Sequence, residues 1–142
     1  MTGRLLTIGE LARRTGVAAS ALRYWEELGL LATPTRASGQ RRYPEPAVGL
    51  VGIILLLQDV GFSLAEQKEL LALRAVAPQD WRRLGRRKLA ELDEQIRKAQ
   101  AARKAIEHGL RCRHQDIQQC PNFRSLVAAR LNGEPLDKAH AH

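Results

Sequence analysis

Thr7-Ile8-Gly9-Glu10-Leu11-Ala12-Arg13-Arg14-Thr15-Gly16-Val17, followed shortly by Leu22-Arg23-Tyr24-Trp25-Glu26-Glu27-Leu28-Gly29-Leu30-Leu31, predicts two short helices joined by a tight turn. Thr7 and Glu10 have the spacing of a capping box, in which each side chain satisfies the other residue's backbone N–H. Ile8, Leu11 and Ala12 give the first helix an apolar face, and Gly16 supplies the permissive backbone of the turn. The second helix is expected to start near Ala18 or Ala19, bury Leu22, Trp25 and Leu28, and stop at Gly29. Its other face then carries Ala19, Ser20, Arg23 and Tyr24. A helix so placed can enter a DNA major groove.

Downstream, Leu30 to Thr35 and Gln40 to Tyr43 are strand-like runs around Arg36-Ala37-Ser38-Gly39, the pattern of a hairpin with a glycine turn. Arg36, Arg41 and Arg42 decorate this wing, and Tyr43 closes it. Guanidinium forks suit phosphate oxygens and guanine edges, and tyrosine hydroxyls suit phosphates. Any single arginine is more simply read as a solvated surface group. The ordered set beside a helix-turn-helix points instead to duplex DNA.

The order T-I-G-E-L-A, G-V, L-R-Y-W-E-E-L-G-L-L, P-x-R and G-x-R-x-Y resembles the MerR family of bacterial transcription regulators. The likeness continues through Val60-Gly61-Phe62-Ser63-Leu64-Ala65-Glu66 and so spans about the first half of the chain. It implies a mainly α fold: a winged helix-turn-helix DNA-binding domain (5–75), ending in a helical hairpin, then a dimerisation helix (76–110) in an antiparallel coiled coil. A cysteine-containing effector loop and short helix (111–131) and a disordered tail (132–142) complete the expected organisation. The resemblance further implies a homodimer on double-stranded promoter DNA. Its effector makes it kink and untwist that DNA, and RNA polymerase is engaged indirectly through the promoter. Arg23 and Tyr24 would hold the recognition helix, Ala19 and Ser20 would face bases, and Arg36, Ser38, Gly39, Arg41, Arg42 and Tyr43 would form the wing contact.

Composition agrees. The 142-residue chain has a formal charge of +8 and a pI near 10.3, favouring a polyanionic partner. With 27% charged and 44% hydrophobic residues it belongs to the globular class. The apolar run Ala47 to Leu57 is too short to span a bilayer, and the N-terminus lacks the apolar core of a signal peptide. No membrane association and a cytoplasmic location are therefore expected.

Pro44-Glu45-Pro46 opens a helix that is apolar nearly all round from Ala47 to Leu57 and so is expected to be buried on more than one side. Gly49 and Gly52 weaken it by about 1 kcal/mol each unless close packing requires them. Members of the family usually carry basic residues here, and this chain does not. Two further departures are Gln40, where an aromatic is common, and Ala18-Ala19, where a Ser or Thr cap is common. Gly61 ends the helix, and Ser63 with Glu66 forms a second capping box for a helix reaching about Arg74.

Ala75 to Gln79 punctuates the chain. Beyond it a helix from about Asp80 to Gly109 carries Leu89, Leu92, Ile96, Ala99, Arg103, Ile106 and Leu110 at alternating spacings of three and four. This heptad seam is interrupted once, at Arg103. So narrow an apolar stripe cannot be buried by its own helix and calls for a second copy. The basic run Arg82 to Lys88 is more simply a solvated face than a DNA contact.

After this helix come the chain's two cysteines, Cys112 and Cys120, in Arg111-Cys112-Arg113-His114-Gln115-Asp116-Ile117-Gln118-Gln119-Cys120-Pro121. Metal-sensing members of the family carry a similar two-cysteine loop with a proline after the second cysteine. Two thiolates suffice for a soft monovalent ion such as Cu(I). Zinc prefers four ligands, so Cys112, Cys120 and His114 would need one more. Divalent sensors in the family usually add a cysteine at the start of the dimer helix, where this chain has Ala77 to Asp80. Arg111 and Arg113 would favour a thiolate at Cys112, which suits a redox switch. An iron–sulfur cluster fits poorly, since it normally takes four cysteines. Alternatively both cysteines are small buried hydrophobes that pin the loop. Phe123 to Leu131 reads as a short amphipathic helix with Phe123, Leu126, Val127 and Leu131 on one face, ended by Asn132-Gly133-Glu134-Pro135.

A protein of another class, buffering metal or exchanging thiols without specific DNA binding, would explain the loop but not the reading head. An enzyme has least support: no glycine-rich phosphate loop or paired carboxylates in a plausible cleft are legible.

Overall fold

The computed structural model describes residues 4–32 and 35–139, which divide into two compact units, 1–85 and 86–142. In the first unit a two-residue strand β1 (Leu6–Thr7) leads into α1 (Ile8–Thr15) and α2 (Ala19–Glu27). Strands β2 (Thr35–Ala37) and β3 (Gln40–Tyr43) follow, then α3 (Ala47–Val60) and α4 (Leu64–Val76).

Both capping boxes form. Thr7 Oγ1 accepts from Glu10 N at 3.0 Å while Glu10 accepts from Thr7 N at 3.2 Å, and Ser63 with Glu66 repeats the exchange at 3.1 and 2.9 Å. The Thr7 backbone N–H also holds the Glu10 carboxyl below its ordinary range. Gly16 takes the left-handed conformation (φ +75°) that reverses the chain between α1 and α2. Ala18 caps α2 without a side-chain hydrogen bond, as expected from the missing Ser or Thr.

The wing differs from its sequence reading. Its first strand is Thr35–Ala37 rather than Leu30 to Thr35; Leu30 and Leu31 lie in the turn after α2, where Leu31 is buried. Thr33 and Pro34 fall outside the described residues. The hairpin turns at Ser38-Gly39, both at positive φ (53° and 74°), which is the two-residue geometry that matches strand twist. A third strand joins it: β1 pairs antiparallel with β3, Leu6 opposite Tyr43, giving the sheet order β1-β3-β2.

The core of this unit gathers Leu6, Leu11, Val17, Leu22, Trp25, Leu31, Tyr43, Ala47, Val51 and Ile54. From α3 only Ala47, Val51 and Ile54 are buried, so the expectation of burial on several sides fails within one chain. Leu50, Ile53, Leu56 and Val60 stay exposed, because the helix presents only its Ala47-Val51-Ile54 side to the core. A Cβ at Gly49 or Gly52 would meet nothing within 4 Å, so close packing does not account for either.

A 3₁₀ turn (Pro78–Asp80) precedes α5, Trp81–Arg111, whose 31 residues extend about 46 Å. Along its seam Leu89, Ile96, Ala99, Arg103, Ile106 and Leu110 are exposed, and Leu92 is half-buried. In the second unit, the loop after α5 contains a 3₁₀ turn (Ile117–Gln119) and leads to α6 (Pro121–Leu131). Phe123 and Leu126 of α6 are half-buried, whereas Val127 and Leu131 are exposed, so the apolar face is only partly covered. The segment expected to be disordered instead forms a 3₁₀ turn at Leu136–Lys138. Its Leu136 lines an apolar groove shared with α5 and α6, which gives the segment something to bury. His140 and His142 lie outside the described residues.

Candidate nucleic-acid interface and metal centre

Ser20, Arg23 and Tyr24 are exposed on α2, and Ala19 beside them is half-buried. On the wing Arg36, Ser38 and Gly39 are exposed and Arg41 and Arg42 are half-buried. Among the described residues neither Arg23 nor Arg36 is paired with an acid, so both cations are available to an outside anion.

Arg41 and Tyr43 are placed differently from expectation. Period-two alternation along β3 sends both toward α2, where one carboxylate receives them. Arg41 Nε donates to Glu26 Oε2 at 3.1 Å, and the Tyr43 hydroxyl donates to the same oxygen at 3.0 Å. Tyr43 is only 1% exposed, so it is a core residue and not a phosphate contact. Glu26, which the sequence reading passed over, is therefore the bolt between α2 and the wing. The available signal was the alternation of Arg41 and Tyr43 opposite an acid in a helix whose other face is apolar.

Burial, the hydrogen bond to Glu26 and that carboxylate's charge push the Tyr43 phenol up to about 12 from its usual 10.0. A phenol whose folded value is raised stabilises the fold fully below about pH 10 and loses that contribution between about 10 and 12. In Tyr24→Phe protein, ultraviolet titration should thus show tyrosinate forming with a midpoint near 12. Adding Glu26→Ala should lower the midpoint; an unmoved midpoint would show that the carboxylate does not act on this phenol.

The second cluster lies at the end of α5. His108 in its last turn and Cys112 just past its end are four residues apart, which brings both to one side of the helix. Cys120, the residue preceding α6, returns to meet them. The ligand atoms of His108, Cys112 and Cys120 all lie within 4.8 Å of one another, with Cys120 Sγ 3.5 Å from His108 Nε2. Cys120 is buried and Cys112 half-buried, and both are free thiols. The backbone N–H of Phe123 most strongly, then Cys112, His108 and the N–H of Asn122, hold the Cys120 thiol down to about 7 against the opposing effect of burial.

His114, the histidine read from sequence as a third donor, is exposed on the loop and is not in this group. His108 takes that place, because helical periodicity puts it beside Cys112 while the chain at His114 leads away. The i, i+4 pair was the signal that could have found it. As a donor set, two thiolates and an imidazole fit a soft or borderline metal ion.

Known proteins resemble this chain over most of its length. The family model described as MerR HTH family regulatory protein matches residues 6–73, and one described as MerR, DNA binding matches residues 49–109. The chain is 31% identical to the HTH-type transcriptional regulator HmrR of Rhizobium leguminosarum bv. viciae, over 85% of this chain and 97% of that one. It is 30% identical to the heavy metal-dependent transcription regulator 2 of Rhizobium meliloti, over 91% and 92% of the two chains. Among solved structures, the transcription regulator PbrR691 from Ralstonia metallidurans CH34 in complex with lead(II) superposes with a TM-score of 0.67. That likeness covers 85% of this chain and 98% of the other at 24% identity, and so concerns the fold.

Proposed function

This chain belongs to the MerR family of transcriptional regulators, and from that membership we propose that it binds promoter DNA as a homodimer and distorts it on sensing a soft metal ion through Cys112 and Cys120. The observation that carries the reading is the coexistence, in one chain, of unpaired cations on a recognition helix and wing with two thiols gathered near one imidazole. Ala19, Ser20, Arg23 and Tyr24 would meet the groove, with Arg36, Ser38, Gly39 and Arg42 on the backbone. Arg41 would contribute chiefly by fixing the wing through Glu26. The apolar seam of α5 supports pairing of two chains, since one chain leaves it in water. Cu(I) and Zn(II) are the ions that the donor set favours. None of the described helices is long and apolar enough to cross a membrane.

The test is binding to a duplex from the chain's own upstream region across a salt series, with and without Cu(I) or Zn(II). Arg23→Ala should weaken binding and flatten the dependence of log K on log salt by about one unit, the signature of one lost phosphate contact. An unchanged slope would remove Arg23 from the interface. Response of the bound promoter to either ion, lost in Cys112→Ser, is expected; indifference to both ions would refute the sensor.

A second reading is favoured by one observation, two free thiols whose sulfur atoms lie within 4.8 Å of each other. A thiol-redox switch would respond to peroxide in metal-free protein, and the same promoter assay separates it from the metal sensor.

A further inference from the structure

We propose that His108 is a third metal ligand, so that Cys112, Cys120 and His108 form a two-thiolate, one-imidazole site for a divalent ion such as Zn(II). The proposal rests on the metal-sensing reading above and adds the class of ion.

Three observations carry it. The first is separation. An ion with bonds of about 2.3 Å to sulfur and 2.0 Å to nitrogen, at angles between tetrahedral and trigonal, needs a sulfur-to-nitrogen edge of about 3.5 to 3.8 Å. Cys120 Sγ and His108 Nε2 are already 3.5 Å apart. All three donor atoms fall within 4.8 Å, so one ion can reach them with small side-chain shifts.

The second is charge. Two thiolates and a monovalent ion leave one net negative charge, whereas a divalent ion leaves none. Cys120 is only 2% exposed, and an uncompensated charge there is costly.

The third is placement. A linear two-thiolate site has no use for an imidazole, but here one is supplied from the same helix face as Cys112. His108 thus supplies a third protein donor from the same chain. The fourth position of such a site is left to a non-protein ligand such as water. Against this stands a purely structural role, in which His108 only hydrogen-bonds the Cys120 thiol. The two differ in whether the metal has a nitrogen neighbour.

The experiment uses the full chain, loaded separately with Zn(II) and with Cu(I), as unaltered protein and as His108→Gln, His108→Cys and Cys112→Ser variants. Chelator competition gives affinity, X-ray absorption of the Zn-loaded forms gives the neighbours, and circular dichroism checks folding. Expected are two sulfurs and one imidazole around zinc in unaltered protein, with the imidazole absent in His108→Gln. Zinc affinity should fall by about 100-fold or more in His108→Gln, at or beyond the upper end of what an outer hydrogen-bonding partner usually costs. His108→Cys should restore it, and Cu(I) affinity should change far less in His108→Gln. Zinc bound without imidazole, or with imidazole retained in His108→Gln, overturns the proposal. Binding of Cu(I) but not Zn(II) overturns it while leaving the sensor reading intact. If unaltered protein binds neither ion more tightly than Cys112→Ser does, both readings fall.

Discussion

A chain carrying Ile96→Glu should sediment as a monomer and bind promoter duplex at least about a hundred-fold more weakly than unaltered protein, the loss expected when two linked sites become one. Ile96 lies near the middle of α5 and is half exposed in the single chain, as are its seam neighbours Leu89 and Ile106. In the proposed dimer each such side chain gains about 1.5 to 3 kcal/mol on burial, and replacing both copies removes roughly twice that. Two carboxylates brought into the seam add like-charge repulsion and a desolvation cost. The fold of the first unit has no stake in Ile96, so its thermal unfolding should stay within a few degrees of the unaltered protein. Sedimentation velocity and a duplex titration check both halves. An Ile96→Glu protein that remains dimeric would mean that the seam is not the pairing surface.

The second large effect is expected at Cys120. Its thiol is buried and lies within reach of both other donors. Because Phe123, Cys112 and His108 draw it down to about 7, a metal ion bound there, as proposed, would displace a proton held less tightly than in an ordinary thiol. Cys120→Ser removes the softest, most enclosed donor and should lower affinity for Cu(I) and Zn(II) by more than about 100-fold, the upper end for losing an outer-shell partner. Basal DNA binding should persist, because the reading head lies in the other unit. A pH series separates ligand from scaffold. Affinity in the unaltered protein should rise with pH through about 7 as the Cys120 thiol ionises, and Cys120→Ser should release about one proton fewer per ion bound. Retained affinity in the variant would assign the cysteine a packing role.

What the sequence disclosed was mostly local. Capping boxes at Thr7/Glu10 and Ser63/Glu66 depend on a three-residue spacing, and the apolar positions Leu22 and Trp25 on helical periodicity, so both were legible. The turn at Ser38-Gly39 was legible too, because glycine marks a backbone that few residues adopt. The β1–β3 pairing was not: two residues are too few to show alternation, and their partners lie 35 or more positions away. Tyr43 was misassigned to the surface for a related reason. A tyrosine at the end of an arginine-rich strand looks solvated until the acid 17 residues upstream is seen to receive it. At the candidate metal centre the two cysteines stand out in the sequence, but His114, nearer to both along the chain, draws attention from His108, which helical geometry places beside Cys112. Loop closure, which brings Cys120 back to α5, has no local sequence signal.

The most direct measurement is the number of chains on one promoter duplex, together with the bend of that duplex, by sedimentation equilibrium and circular-permutation gel shift on DNA from the chain's own upstream region. Two chains per duplex, with a bend that changes when Zn(II) or Cu(I) is added, is the result expected. One chain per duplex, or no preference for any segment of that DNA over random sequence, would contradict the account.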